Sequence, residues 1–348
     1  MTSKSTPVKT NVSGRSIGDT IRSLARRPEL GALAGTVIVF IFFSYFGGSN
    51  FTDLGGFSAW MNTASELLII ALPVGLLMIA GEFDLSVGSV VAGSSVTLAM
   101  VSGFFGLPTW VGIICALALG LLSGYLNGLM VTRTKVPSFI VTLAMQFGLA
   151  GLTLGLVRLI TGTTSIRLEE ESIFKEMFGG KFMNQFENAI FWALGAAVVV
   201  TLILQVSKYG NWIFALGGDI VSARAAGVPV EKTKIVLFMA TGLGASMVGI
   251  IQCLLYNGTS TSGGQSFVFN SVIAVVIGGV LLTGGYGSVV GIVLGACTFA
   301  IVNQGVYYTG WDSDWAALIL GILLLAAVLM NNTFRRLALS SGKKEVEK

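Results

Sequence analysis

Histidine is missing from all 348 residues, and charge is scarce, with Asp, Glu, Lys and Arg together making 11% of the chain. Without imidazole, the commonest metal ligand and the side chain that exchanges protons near neutral pH are both gone, which excludes an imidazole-based metal site and a histidine relay and leaves zinc or copper chemistry unexpected. A soluble domain carries about 25% charged residues, so this chain has too little charge to dress a water-facing surface. Cysteine is equally sparse. Cys115, Cys253 and Cys297 each lie inside an apolar block without paired spacing, as small core residues do, rather than disulfide or metal ligands. No G-x-x-x-x-G-K-[ST] phosphate loop occurs either: Gly179–Gly180–Lys181 is followed by Phe182, so the chain itself is not expected to bind and hydrolyse ATP by that route.

What is present is apolar length. Hydrophobic residues make up 53% of the chain and the mean hydropathy is +0.83. They fall into blocks long enough to cross a hydrocarbon core, which takes about 20 residues per helix. The blocks predict ten membrane helices at 30–47, 61–81, 85–104, 109–132, 137–160, 188–207, 234–256, 267–284, 287–306 and 315–331. The expected fold is therefore all-α and polytopic, with one membrane domain over 30–331 between tails at 1–29 and 332–348. The first block, from Leu30, is not followed by a small-residue cleavage pattern and is expected to stay as an anchor.

Ten spans put both termini on one side, and the basic residues say which. The six before the first block, Arg133 with Lys135, the set Lys208, Arg224, Lys232 and Lys234, and the five at the C-terminus account for seventeen of the 21 Lys and Arg. The other four, Arg158, Arg167, Lys175 and Lys181, belong to 158–187. Positive charge gathers on cytoplasmic loops, so both ends are expected in the cytoplasm. The net charge of +4 thus belongs beside lipid headgroups rather than nucleic acid. The long connection 161–187, with Glu169, Glu170, Glu171, Glu176 and Glu187, then faces outward, and 208–233 faces inward.

Several segments break the apolar pattern. In GEFDLSVGS (81–89), Glu82 and Asp84 stand between two blocks, with Ser86 and Gly88 opening the next. Asp84 or Ser86 would accept backbone N–H groups at that helix start, and intramembrane charge also marks function. The helix that follows is dense in small residues, Gly88, Ser89, Gly93, Ser94, Ser95 and Ser102, suited to close packing or to a polar path. In ALGGDIVSARAAGVPV (215–230), Asp219 reads as an N-cap and Gly227 as a stop, around a short Ala-rich helix fit to dock in a partner's groove or to lie on a membrane surface. A short echo joins VGSVVAG (87–93) to GSVVG (287–291). Asn62, Ser95, Asn127, Gln146, Asn270, Asn303 and Gln304 are polar residues at membrane depth, candidates for a solute path or for helix–helix contacts.

GEFDLSVGS, Asn127–Gly128 through VPSFIVTLA (136–144), ALGGDIVSARAAG (215–227) and AVVIGG…GGYGSVVG (274–291) together resemble the permeases of the ribose, xylose and autoinducer group of ABC importers. The resemblance runs from the second predicted helix to the ninth. It implies a ten-helix permease in a bacterial inner membrane, paired with a second copy or a related permease. Two cytoplasmic ATPase subunits that carry the ATP and a periplasmic solute-binding protein would complete the assembly, and the solute would be a small sugar or sugar-like molecule. The family's ATPase-coupling segment falls on Gly217, Gly218, Asp219, Ala223, Arg224, Ala226, Gly227 and Pro229, with Ala223 and Ala226 as the small residues that let a partner approach. Members commonly carry a small or apolar residue where Glu82 stands, and an Asn-Glu-Glu-like run where this chain has Asp219-Ile220-Val221.

The competing reading is an ion-coupled secondary transporter, which places ionisable residues within the bilayer. Glu66, Glu82 and Asp84 all fall near predicted helix ends, which favours the ATP-driven importer. A membrane enzyme would need a nucleophile–base pair or metal cluster, and the sequence offers neither. The charge split predicts that a cysteine placed at Ser172 reacts with an impermeant thiol reagent in intact cells and one at Ser222 does not; labelling at Ser222 would reverse the orientation.

Overall fold

The computed structural model describes residues 28–169 and 171–329; the predicted tails before Pro28 and beyond Asn331, and Glu170, lie outside the described residues. Helix α1 (Pro28–Thr52) leads through Asp53, whose Oδ1 accepts the Gly56 N–H at 2.8 Å, into α2 (Leu54–Ile79). After an irregular stretch come α3 (Val87–Leu98), continued by a π-type turn over Ala99–Phe104, then α4 (Thr109–Thr134) and α5 (Ser138–Thr161). The connection beyond α5 holds strand β1 (Ser165–Arg167), the short α6 (Ile173–Gly179), and strands β2 (Lys181–Phe182) and β3 (Phe186–Glu187). Helix α7 (Ala189–Thr201) continues through Leu202–Val206 to α8 (Lys208–Gly218), α9 (Ile220–Ala225) and α10 (Val230–Leu255). Strand β4 (Gly258–Ser260), α11 (Phe267–Ile277), α12 (Val289–Tyr308) and α13 (Trp315–Leu329) complete the described chain.

Among the described residues eight helices are long and apolar enough to cross a membrane: α1 from Glu29, α2, α3 with its π turn, α4, α5, α7 with its continuation, α10 and α12. The predicted eighth and tenth segments are the shorter apolar helices α11 and α13. Helix α11 stops at Ile277, short of the predicted 284, because Gly279, Gly284 and Gly285 take positive φ values of 89°, 77° and 77° that a helix does not accommodate. Two small antiparallel ribbons interrupt the helical fold, with Ile166 opposite Thr259 in β1–β4 and Lys181 opposite Glu187 in β2–β3.

Proline and glycine explain much of this arrangement. Pro108, Pro137 and Pro229 stand directly before α4, α5 and α10, where a missing N–H costs nothing. On α4, Gly120, Gly124 and Gly128 recur every four residues against Gly242, Phe238 and Ile235 of α10, so the two backbones meet without intervening side chains. Helix α10 also packs on α3 and α2, and α12 on α1 and α2. Helix α2 is the centre of the bundle, with 89% of its apolar window buried against 11% for α1. The small residues along α3 are all buried, and their hydroxyls turn to protein partners, Ser94 to the Ala116 carbonyl at 3.2 Å and Ser95 to Thr259 at 2.6 Å.

The irregular link after α2 and the one after α11 meet at the same end of the bundle. The Gly285 N–H donates to the Ile79 carbonyl at 2.8 Å. A Cβ on Gly284 would stand 2.9 Å from the Gly81 Cα and 3.1 Å from the Gly217 Cα. The two halves of the echo noted in the sequence therefore start helices, α3 and α12, and the links that precede those helices touch through Gly81 and Gly284. Gly217 closes the junction, since a Cβ there would fall on the Ile79 oxygen and the Gly285 nitrogen, whereas one on Gly218 would meet nothing within 4 Å. Gly217→Ala is expected to lower stability by about 1–3 kcal/mol, the usual cost of overpacking, and Gly218→Ala to leave it unchanged, read as thermal unfolding of the detergent-purified protein.

Candidate functional site

A cavity of about 380 Å³ opens at the end of the bundle that carries the 162–188 connection. Helix α2 lends it Asn62, Thr63 and Glu66, and α10, α11 and α12 lend Gln252, Asn270 and Asn303. The β2–β3 ribbon brings Glu187 to the rim. Asn62 positions that ribbon: its Nδ2 donates to the Gln185 carbonyl at 2.9 Å while its Oδ1 accepts the Glu187 N–H at 3.0 Å. Burial pushes the Glu187 carboxyl above its ordinary range, offset in part by Lys181 across the ribbon. Deeper in, Gln252 Nε2 donates to Glu66 Oε2 at 2.8 Å, and Gln304 donates to Thr63 Oγ1 at 2.9 Å.

A second polar cluster holds the irregular link 80–86 in place. Asp84 Oδ1 accepts the Ser86 N–H at 2.9 Å and the Ser86 hydroxyl at 2.6 Å, and Thr241 of α10 donates to Oδ2. Asn127 of α4 donates to Ser86 Oγ at 2.8 Å. Glu82 pairs with Lys234 of α10, both side chains about nine-tenths buried. Gln146 of α5 then reaches over to accept the Ser89 N–H at 2.8 Å. The cap on α3 thus comes from another helix; the Ser86 hydroxyl, spent on Asp84, makes no cap bond.

At the same end as this cluster, α9 is the short helix expected between the glycines. Asp219 accepts the Ser222 N–H at 2.7 Å, and the Ser222 hydrogen bonds hold its carboxyl below the usual range. Gly227, with φ of 83°, ends the turn. Val221, Ser222, Arg224, Ala225 and Ala226 are exposed. Arg224 reaches Glu231 at 3.7 Å in a solvent-facing pair of little energetic weight.

Residues 56–328 match the family described as the permease component of the branched-chain amino acid transport system. The chain belongs to this permease family. It is 32% identical over 272 residues to the fructose import permease protein FrcC of Rhizobium meliloti, covering 76% of this chain and 74% of that one. It is 29% identical over 287 residues to the ribose import permease protein RbsC of Escherichia coli, covering 81% and 87%. With the xylose transport system permease protein XylH of Haemophilus influenzae it shares 28% over 359 residues, covering 87% and 96%. The permease therefore falls in the ribose- and xylose-type group of ABC sugar permeases, and is a multi-pass transport component rather than an enzyme.

The permease brings some of the predicted path residues together and not others. Asn62, Asn270 and Asn303 line one cavity with Gln304 behind it, whereas Ser95, Asn127 and Gln146 are spent on protein contacts. Three expectations are corrected. Glu66 is not near a helix end: α2 begins at Leu54 rather than 61, which puts Glu66 mid-helix. Lys234 is buried on Glu82 and does not belong with the solvated loop charges. Ala223 is 2% exposed and plugs inward, so Ala226 stays available to a partner while Ala223 does not. In the sequence Glu82 stands beside Asp84 and Lys234 beside Glu231 and Lys232, so no isolated charge marked this pair. Lys234→Met is expected to destabilise the permease by about 3–5 kcal/mol by leaving Glu82 buried without its counter-charge. The double variant with Glu82→Leu should recover part of that loss in thermal unfolding.

Proposed function

We propose that this permease is the membrane-spanning subunit of an ATP-driven importer that passes a small sugar or sugar-like solute. In this reading ten helices span a bacterial inner membrane with both ends in the cytoplasm, counting α11 and α13 as spans. A second permease copy or a related one completes the path, and a periplasmic solute-binding protein delivers to the cavity end. Cytoplasmic ATPase subunits carry the ATP, and this chain binds no cofactor of its own. Gly217 to Pro229 is the segment that takes up their motion.

The observation that carries the reading is α9, a capped helix with an exposed face that includes apolar Val221 and small Ala225 and Ala226, held to the bundle by the Gly217 contact with Ile79 and Gly285. A small exposed face on a backbone with no slack suits docking into a partner's groove. A second reading, an ion-coupled secondary transporter, draws on Glu66, an ionisable residue at mid-helix beside a cavity. Ala226→Trp is expected to leave membrane insertion and expression near normal, while abolishing co-purification of the ATPase and solute-stimulated ATP hydrolysis. Gradient-driven uptake by the purified chain alone, untouched by Ala226→Trp, would establish the secondary transporter instead.

A further inference from the structure

The cavity at Glu66 has a chemistry that the importer reading alone does not require. Glu66 is 8% exposed, and although its Oε2 accepts from Gln252, its Oε1 is buried with no hydrogen-bond partner among the described residues. A buried carboxyl oxygen without a donor is costly, so the partner Oε1 wants is a donor. Glu187 adds a second carboxylate to the lining, and no Lys or Arg lines the cavity; Lys181 stands across the ribbon from Glu187, outside the lining. Asn270, whose amide makes no hydrogen bond among the described residues, and Asn303 supply both donors and acceptors along the opposite wall.

We infer that this cavity selects hydroxyl-rich solutes that carry no negative charge, with Glu66 as the specificity-determining group that takes a hydroxyl or ammonium donor from the solute. The inference rests on the transport reading and sharpens its solute class. A turn of the Glu66 carboxyl that brings Oε1 to the cavity lets a neutral sugar satisfy it through one hydroxyl and the two asparagine amides through others. An amino sugar does so with a charge-assisted bond, which is roughly twice as strong. A sugar acid brings its carboxylate into a site of low dielectric whose lining offers two carboxyl groups and no Lys or Arg to answer the charge, and is rejected. The volume of about 380 Å³ lies within the range of small-molecule sites.

The test titrates the purified complex with D-ribose, D-fructose, D-glucosamine and D-gluconate by calorimetry, for the native chain and for Glu66→Gln. Native protein is expected to bind a neutral sugar, to bind the amino sugar about tenfold more tightly, and to ignore gluconate. Glu66→Gln should erase the preference of amino sugar over neutral sugar. If Glu66→Gln does not fold, Glu187→Gln should shift the same preference in the same direction by a smaller factor. Gluconate bound as tightly as the neutral sugars, an unchanged preference in the variants, or no binding of any of the four would overturn the inference. ATPase co-purification in the same samples separates the two readings: its presence with no charge preference sinks the cavity assignment alone, and its absence sinks the importer.

Discussion

Wherever a helix is interrupted at membrane depth, its freed N–H and C=O groups need partners that lipid does not supply. The permease interrupts its helices twice on one side, between α2 and α3 and between α11 and α12, and the rest of its interior is organised around making good those breaks. Asp84 satisfies the first break locally, Gln146 caps α3 from a distance, and Gly285 returns a hydrogen bond to the last carbonyl of α2. Thr241 of α10, Asn127 of α4 and Gln146 of α5 are drawn into these repairs. The breaks therefore tie the bundle together instead of weakening it, and Asn127, Thr241 and Gln146 are committed to them as a result.

Glu82 and Lys234 extend the same logic to charge. A carboxylate buried at this depth would be very costly by itself. The ammonium from α10 answers it, so Glu82 comes as half of a pair. Such a pair adds little net stability over an apolar replacement of the same shape, but it fixes where the irregular link sits against α10. The α4–α10 seam, closed by three glycines, in turn fixes α10 itself.

The helical segments were legible in the sequence because proline, aspartate and glycine mark their ends and apolar runs fill their middles. The misplacements have local causes. Residues 54–60, LGGFSAW, lie between the predicted helices 30–47 and 61–81, yet Asp53 caps them into α2, and the seven-residue shift carried Glu66 from a helix end to mid-helix. Which way Ala223 and Ala226 face could not be phased from a helix of six residues, since a single turn sets the direction and flanking contacts set the turn. Among the polar path candidates, composition gave the depth but not the partner. Asn270 and Gln146 look alike in sequence, and only the crossing of α5 over the start of α3 assigns Gln146 to a backbone N–H.

Helix α2 holds Asn62, Thr63 and Glu66 at the cavity and ends at Ile79, against which Gly217 and Gly285 are pressed. Glu66 and Ile79 are thirteen residues apart, about 20 Å along a helix axis. The two ends of the molecule are thus joined by one helix, buried for most of its length and interrupted in its hydrogen bonding at Pro73. A tilt of about 5° at the glycine junction would carry the Glu66 carboxylate sideways by about 2 Å, enough to make or lose a hydrogen bond. A displacement of α9 would then be felt as a shift of Glu66 at the cavity, carried by α2 itself.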